Sequence, residues 1–128
     1  MEFIDTHTHL FSEQFDNDID EVIQRSLNEG ITKMYLPNIN SDTIDSMMKL
    51  SARYPENCFP LMGLHPCDVK EDYQREIDLV EEWHAKHKFY AVGEIGIDLF
   101  WDKTFVEQQK DTFRQQIQLA KKIQLPIV

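Results

Sequence analysis

Short apolar stretches recur along the chain at nearly regular intervals. They occupy residues 3–5, 31–36, 59–64, 90–95 and 125–128, and their starts are 28 to 35 residues apart. Polar and apolar residues do not alternate within them, which is typical of parallel strands buried on both faces. Each interval holds one helical pattern, so the sequence predicts the element order βαβαβαβαβ with parallel pairing and right-handed crossovers.

The first three helices are predicted from their caps and their apolar periodicity. Residues 19–27 carry one apolar face, and Gly30 is expected to end that helix in the left-handed conformation. Ser41 is the expected N-cap of the second helix. The third helix is predicted over residues 73–84, where apolar residues recur at helical spacing.

A capping box is the signal for the fourth helix. Thr104 and Glu107 have the spacing of such a box, which predicts that the helix begins there. The residues expected on its inner face are Val106, Phe113, Ile117 and Ala120.

This element order leaves two architectures, an open doubly wound sheet or part of a (β/α)8 barrel. The loop after the first strand, residues 5–10, reads Asp-Thr-His-Thr-His-Leu and contains no G-x-G-x-x-G. The dinucleotide-binding interpretation therefore loses its main support, and a sheet with sequential strand order is expected.

Composition narrows the class of protein further. The chain has 128 residues, the size of about one domain, and a net charge of −10 with 13 basic and 23 acidic residues. So acidic a chain is unlike modules that read a DNA sequence through a basic patch, although metal ions can supply the charge that a phosphate ester needs. No stretch resembles a membrane span or a signal peptide, and Cys58 and Cys67 form no metal or disulfide motif, so we expect a cytoplasmic protein with free thiols.

Polar residues gather where the first predicted strand ends. His7 and His9 are two positions apart, so on an extended strand both imidazoles point to the same face and can reach one metal ion. Asp5 lies on that face one step deeper, where it can bind the metal or orient a ligating histidine. Active sites of parallel α/β folds collect at these carboxyl ends of the strands.

Glu94 is the corresponding residue at the end of the fourth predicted strand. A buried carboxylate costs several kcal/mol unless it is paired or metal-bound, and no lysine or arginine other than Lys33 lies on the first four strands. Gly93 and Gly96 leave room there for close approach of backbone or ligand. His65 ends the third strand and is either a site residue or a turn histidine packed before Pro66.

Four further residues receive provisional interpretations. His84 and His87 are interpreted as surface or helix-end histidines. Phe100 and Trp101 are interpreted as core residues beneath their loop, with an aromatic platform for a base or sugar as the alternative.

Taken together, the motifs resemble those of one family. Residues 3–10 resemble the opening signature of the TatD family of metal-dependent hydrolases and deoxyribonucleases, and residues 63–66 and 93–98 resemble its third- and fourth-strand motifs. Further positions that resemble the following helix and strand are Gln108, Phe113, Gln116, Leu119, Ala120, Leu125 and Pro126. Phe11 departs from the acidic or amide residue usual there, and Leu99 and Phe100 depart from a pattern that ends in tyrosine.

The resemblance implies a (β/α)8 barrel that hydrolyses phosphodiesters with two divalent metal ions, which are Mg²⁺, Mn²⁺ or Zn²⁺. It implies that His7 and His9 bind one metal and that Glu94 is the catalytic carboxylate shared by both. It also implies that His65 and Asp98 line the site near the substrate phosphate. The implied partner is DNA or another phosphodiester, without reading of its sequence.

A full (β/α)8 barrel takes about 250 residues, so the chain as a whole, residues 1–128, is expected to be the N-terminal half of one such domain. As a separate fragment it is expected to be nearly inactive and to self-associate through open sheet edges. Two alternatives remain, an amidohydrolase-type reaction on a cyclic amide or lactone and a non-catalytic half-barrel that serves as an interaction module.

Overall fold

The structure is a computed structural model that describes residues 1–128. Three strands form a parallel sheet in sequential order, namely β1 (Phe3–Asp5), β2 (Ile31–Pro37) and β3 (Cys58–Leu61). Their register places Asp5 beside Met34 and Met34 beside Cys58. The first two strands match the sequence prediction closely, whereas the third is shorter than residues 59–64.

The fourth and fifth predicted strands are present only as single parallel bridges. Met62 pairs with Val92, and Val92 pairs with Ile127. These bridges continue the order 1-2-3-4-5 without reversal, which excludes the doubly wound alternative and is the order of consecutive strands in a (β/α)8 barrel.

Four helices follow the strands in the predicted alternation. They are α1 (Ile19–Asn28), α2 (Ile44–Arg53), α3 (Tyr73–Lys86) and α4 (Val106–Ile123). Single 3-10 turns occupy Glu13–Phe15, Ser41–Thr43 and Pro66–Asp68. Gly30 follows α1 with φ 86°, as predicted for a left-handed residue after a helix.

The predicted N-cap at Ser41 is wrong. Asn40 forms a capping box with Thr43 around the 3-10 turn, and α2 begins one turn later at Ile44. The Ser41 hydroxyl instead donates to Glu76 Oε1 on α3 at 2.6 Å. An asparagine one position earlier supplies the same oxygen acceptor, so the cap shifts by one residue.

The capping box predicted at Thr104 and Glu107 is also wrong. Phe105 is the residue before α4, and no side chain caps that end. The Thr104 hydroxyl donates to Asp102 Oδ1 at 2.6 Å, so a turn within the preceding loop takes the group that was expected to cap the helix.

The inner face of α4 differs from the predicted one. Ala120 is buried as predicted, but Val106, Phe113 and Ile117 are only half-buried. The buried residues of this helix are Gln109, Thr112, Gln116, Leu119 and Ala120. A periodicity counted on apolar residues misses this face because its buried positions include two glutamines with their own hydrogen-bond partners.

One core lies between the sheet and the helices. It contains residues from β2 and from all four helices, so the helices lie on one side of the sheet. Its buried members are Leu10, Phe11, Ile23, Met34, Leu36, Ile44, Met47, Leu50, Cys58, Met62, Val80, Phe89 and Leu119.

The opposite face of the sheet is only partly covered, contrary to the expectation of strands buried on both faces. Tyr35, Phe59 and Tyr90 pack against one another there, with ring centroids 4.9 to 6.2 Å apart, and each is half-buried. Phe3 and Ile4 on β1 remain 50% and 51% exposed. No helix combines the length and apolar composition that crossing a lipid bilayer requires.

Candidate functional site

Two histidines and one glutamate meet at the carboxyl ends of β1 and the fourth strand segment. His7 Nε2 lies 2.9 Å and His9 Nε2 lies 3.1 Å from the same oxygen, Oε2 of Glu94. One ligand atom from each of the three residues falls within 4.8 Å of the other two. The convergence expected from the spacing of His7 and His9 is therefore present.

A third histidine completes the group. His65 Nε2 lies 3.2 Å from the other carboxylate oxygen, Oε1 of Glu94. The backbone N–H of Cys67 donates to His65 Nδ1 at 3.0 Å, so the ring proton is on Nε2 and points at the carboxylate. We call His7, His9, His65 and Glu94 the histidine–glutamate cluster.

The charge state of the cluster follows from these contacts. Burial alone would raise the pKa of the Glu94 carboxyl, but hydrogen bonds from His65 and His9 hold it well below its usual range. The hydrogen bond to Glu94 in turn raises the pKa of His65, against the effect of burial. A carboxylate shared among imidazoles, with no lysine or arginine within 4 Å, is a donor set suited to a divalent cation.

The segment that carries His7 and His9 is held by its backbone. The Asp5 carboxylate accepts the backbone N–H of His7 at 3.0 Å, and the Thr8 N–H donates to the Tyr35 carbonyl at 3.0 Å. Asp5 therefore fixes the backbone of His7 rather than its ring. His9 Nδ1 is buried and has no hydrogen-bond partner, so the contacts of this ring are concentrated at Nε2.

Phe11 explains one departure from the family pattern. It is 5% exposed within the core, and its ring meets the ring of His9 edge-on at 5.6 Å. The apolar side chain at this position packs in the core against the ring of His9 and contributes no polar group to the site.

Glu94 is positioned by close backbone packing. Its N–H donates to the Asn38 carbonyl at 3.2 Å, and the Asn38 N–H lies 3.2 Å from the Gly93 carbonyl. A Cβ on Gly63 would lie 2.7 Å from the Gly93 carbonyl carbon, so only glycine allows this approach. Asn38 is 1% exposed and also donates from its side chain to the Gly63 carbonyl at 3.0 Å.

Two buried glutamines of α4 hold the loops beside the cluster. Gln116 accepts from the Leu64 N–H at 2.8 Å and donates to the Leu64 carbonyl at 3.3 Å. Gln109 makes the same pair of bonds to the backbone of Asp98, at 2.8 and 3.0 Å. Each glutamine thus satisfies the backbone N–H and carbonyl of one loop residue. Gln116 does so immediately before His65, and Gln109 does so after Glu94.

Asp98 is the predicted site residue that the structure does not bring into the cluster. Its carboxylate accepts the Phe100 N–H at 2.9 Å, and it lies with Cys67 and Lys70 in a neighbouring cavity of about 140 Å³. Burial, followed by a hydrogen bond to Asp98, raises the pKa of the Cys67 thiol. Asp98 therefore faces Cys67 in the neighbouring cavity and makes no contact with Glu94 like those of the three histidines.

The interpretation of Phe100 and Trp101 as core residues is wrong, because they are 80% and 79% exposed. His84 and His87 lie at the C-terminal end of α3, as predicted. His84 is half-buried in the last turn and bonds through Nε2 to the Met62 carbonyl at 3.0 Å, and His87 is exposed. Cys58 and Cys67 are free, with Cys58 buried and its pKa raised to about 11 by that burial.

Sequence reasoning gave no role to Asn38, Gln109 or Gln116. Asn38 was visible only as a polar residue at the end of β2. Gln109 and Gln116 carry one weak signal, because they are seven residues apart on an otherwise amphipathic helix and so share one face.

Comparison with known proteins identifies the family of this chain. The family model for TatD related DNase matches residues 4–128. The uncharacterised metal-dependent hydrolase YabD of Bacillus subtilis is 36% identical over 97% of this chain and 48% of its own length. The 3'-5' ssDNA/RNA exonuclease TatD of Salmonella typhimurium is 30% identical over 96% of this chain and 47% of its own length.

A solved structure gives the same answer for the fold. The TatD homologue YjjV of Escherichia coli K12 matches with a TM-score of 0.81 at 30% identity, over 98% of this chain and 49% of that one. The chain thus spans about half the length of the relatives it matches, and the predicted fold class, a half-barrel of the (β/α)8 type, is confirmed. The match over nearly every residue and the agreement in fold show that this chain belongs to the TatD family.

Proposed function

We propose that the protein to which this chain belongs is a metal-dependent hydrolase of phosphodiester bonds in nucleic acids, and that residues 1–128 are the N-terminal half of its single (β/α)8 domain. The names of the relatives support the reaction class, since they include a metal-dependent hydrolase and a 3'-5' ssDNA/RNA exonuclease. The observation that carries the proposal is the meeting of His7, His9 and Glu94 at one point.

The donor set fits a divalent ion. Two ligands at about 2.0–2.1 Å from a tetrahedral zinc ion lie roughly 3.3–3.4 Å apart. The nitrogens of His7 and His9 lie 2.9 and 3.1 Å from Glu94 Oε2, so small side-chain adjustments bring the three atoms to ligand spacing. The buried, unpartnered Nδ1 of His9 leaves Nε2 as the nitrogen that faces the site.

Within this proposal His7 and His9 hold one ion and Glu94 is the carboxylate shared by two, which are Mg²⁺, Mn²⁺ or Zn²⁺. Bound metal would supply an activated water and a counter-charge for the phosphate. Glu94 is already ionised through its histidine contacts, so it needs no proton release before it can act as a ligand.

His65 and Asp98 are proposed to act on the substrate. The Nε2–H of His65 points into the cluster, where an incoming phosphate oxygen can accept it in place of Glu94 Oε1. Asp98 acts less directly, because it supports the loop that borders the neighbouring cavity.

Metal binding tests the site. Titration calorimetry of the 128-residue chain with Zn²⁺ or Mn²⁺ is expected to show binding that weakens at least about 10-fold in His7→Ala, His9→Ala and Glu94→Gln. His87→Ala is the matched control, since His87 is exposed and follows α3, and the affinity of this variant should equal that of wild type. Equal affinity in all four variants would remove the cluster as the metal site.

Nucleotide release from a DNA oligonucleotide tests the reaction. In the full-length protein, Glu94→Ala is expected to abolish metal-dependent cleavage while the far-UV circular dichroism spectrum is unchanged. Cleavage of a cyclic amide or lactone without cleavage of DNA would instead support the amidohydrolase alternative.

The 128-residue chain alone is expected to bind metal but to turn over DNA far more slowly than the full-length protein. Its cluster offers three ligands for a first ion and only the shared Glu94 for a second, and a misplacement of about 1 Å can cost roughly 100-fold in rate. Phe3 and Ile4 on the β1 edge are half exposed, and size-exclusion chromatography is expected to show self-association through that edge.

A further inference from the structure

Phe100 and Trp101 are the two most exposed aromatic side chains of the protein, at 80% and 79%. Their rings meet edge to face, with centroids 4.6 Å apart and planes at 87°. The edge of one ring therefore meets a face of the other, and the high exposure of both residues leaves flat ring surface open to solvent. We call Phe100 and Trp101 the aromatic pair.

The loop beneath the aromatic pair is held in place. Asp98 accepts the Phe100 N–H at 2.9 Å, and Asp102 accepts the Thr104 N–H at 2.8 Å. Gln109, 3% exposed, bonds both backbone groups of Asp98. A loop backbone held by these bonds loses little conformational freedom on binding, which favours a preorganised stacking surface.

The aromatic pair adjoins the histidine–glutamate cluster. Trp101 lines the same cavity as Cys67 and Asp98, and the Cys67 N–H bonds the ring of His65, which in turn contacts Glu94. Trp101 thus borders a cavity whose wall is linked, through Cys67 and His65, to the carboxylate at which the phosphodiester is proposed to react.

Lysines flank this surface. Lys70 lines the cavity with Trp101, its Nζ lies 3.9 Å from Asp102, and Lys103 is exposed on the same loop. The 128-residue chain carries a net charge of −10, so its general field does not attract phosphates. Stacking on an aromatic ring does not depend on charge and suits such a protein.

We propose that Phe100 and Trp101 form a base-stacking platform that binds an unpaired nucleobase of the substrate strand next to the reacting phosphodiester. The occupant is a single strand, because the bases of a duplex are stacked on one another and offer no free face. This inference rests on the proposed function for the identity of the site, and it adds the residues that select single strands.

Tryptophan fluorescence tests the platform directly, because the chain has only two tryptophans. Trp83 is half-buried on α3 and stacks on His87, with ring centroids 4.5 Å apart, so it lies outside the platform. In Trp83→Phe, oligo(dT) added without metal is expected to quench the emission of Trp101. In the matched control Trp101→Phe, the remaining emission of Trp83 should not change.

Three probes separate stacking from other contacts. An abasic oligonucleotide of the same length keeps the phosphates but has no bases, and it should not quench; a duplex should not quench either. Trp101→Leu should raise the dissociation constant for oligo(dT), followed with a fluorescein label, by roughly 5- to 150-fold, the range for one lost stacking contact. Equal quenching by the abasic strand or the duplex, or equal affinity in Trp101→Leu, would overturn the platform.

Occupation of the aromatic pair by protein is a further outcome of the same experiment. If a second copy covers Trp101, acrylamide will not quench the emission of Trp83→Phe at concentrations where the chain self-associates, and the platform is overturned.

The proposed function is judged separately. If oligo(dT) quenches Trp101 but the full-length protein cleaves no phosphodiester, the platform stands and the proposed reaction fails. If cleavage by the full-length protein is normal with an unchanged KM in Trp101→Leu, the reaction stands and the platform fails.

Discussion

The two sides of the histidine–glutamate cluster are built by different means. On the β1 side, residues 5–9, the histidines follow a three-residue strand at the sheet edge, and the His7 side chain is 42% exposed. On the α4 side, which comprises residues 62–65 and Asp98, side chains from α3 and α4 bond directly to the backbone. Gln116 and Gln109 are 1% and 3% exposed.

This difference shows which side chains of the cluster are positioned by the protein alone and which depend on a bound ligand. The α4 side has its hydrogen bonds satisfied by protein groups, so His65 has a defined position whether or not anything is bound. The rings of His7 and His9 are oriented chiefly by Glu94 itself. Removing a side-chain hydrogen bond to the backbone on the α4 side should therefore reduce the free energy of unfolding. Removing the hydrogen bond that supports the histidines on the β1 side should reduce the affinity for metal.

Gln116→Leu is expected to have the largest effect. The change leaves the N–H and carbonyl of Leu64 buried without partners, and each such group costs about 1–3 kcal/mol, so the free energy of unfolding should fall by roughly 2–6 kcal/mol. Urea unfolding measures it. Gln118→Leu, at an exposed position on the same helix, should change stability by less than about 0.5 kcal/mol. Equal stability of the two variants would show that the Gln116 bonds do not hold the loop.

Gln109→Leu is expected to lower the free energy of unfolding by less, about 1–2 kcal/mol. Asp98 is only half-buried, so water can replace part of the lost hydrogen bonding. Hydrogen exchange at the Asp98 amide should accelerate at the same time. Unchanged exchange at that amide would contradict the role assigned to Gln109.

Asp5→Ala probes the β1 side. One exposed hydrogen bond to the His7 backbone is lost, so stability should fall by less than about 1 kcal/mol. The affinity for Zn²⁺ should nevertheless fall by roughly 10-fold or more, as is usual when a group that supports a ligand is removed. A stability loss as large as that of Gln116→Leu, with unchanged metal affinity, would reverse the comparison.

His84 is expected to have the smallest effect. Of the three helix side chains that bond the backbone on the α4 side, Gln109, Gln116 and His84, it is the one that titrates. Burial lowers the pKa of His84 below its ordinary value of 6.5, so the unfolded chain binds a proton more readily than the folded chain. The contribution of neutral His84 to the free energy of unfolding is complete above pH 6.5. It is lost as the pH falls from 6.5 towards the lower pKa that His84 has in the folded chain. The variant His84→Gln keeps a hydrogen-bond donor for the Met62 carbonyl but does not titrate. Its free energy of unfolding should therefore change less with pH over this range.

The difference in unfolding free energy between wild type and His84→Gln, measured from pH 7.5 down to pH 5, isolates this residue from the other histidines. A difference that stays constant over that range would show that His84 protonates equally in both states.

The sequence predicts the β1 side of the site well and the α4 side poorly. His7 and His9 are neighbours in the chain, so a local rule about alternate residues on a strand is enough to bring them together. Glu94 was identified because a carboxylate in an apolar strand has few acceptable explanations. The contact between them needed only the rule that strand ends meet at one edge of a parallel sheet.

Gln109 and Gln116 could not be identified in the same way. A glutamine in a helix is ordinary, and only the tertiary structure shows that its partner is a backbone group 11 or 52 residues away. The same limit explains the wrong assignment of Trp101 to the core, since an aromatic residue in a loop has the same local pattern whether it is buried or open.

The seven-residue spacing of Gln109 and Gln116 constrains how this chain can change in length. Seven residues of helix advance about 10.5 Å and return to within about 20° of the starting direction. Inserting or deleting one residue between them turns one glutamine away by about 100°, so one of the two loops loses its tie. An insertion or deletion within residues 110–115 is therefore incompatible with the site, whereas a change of length in the exposed loop before α4 leaves this spacing intact.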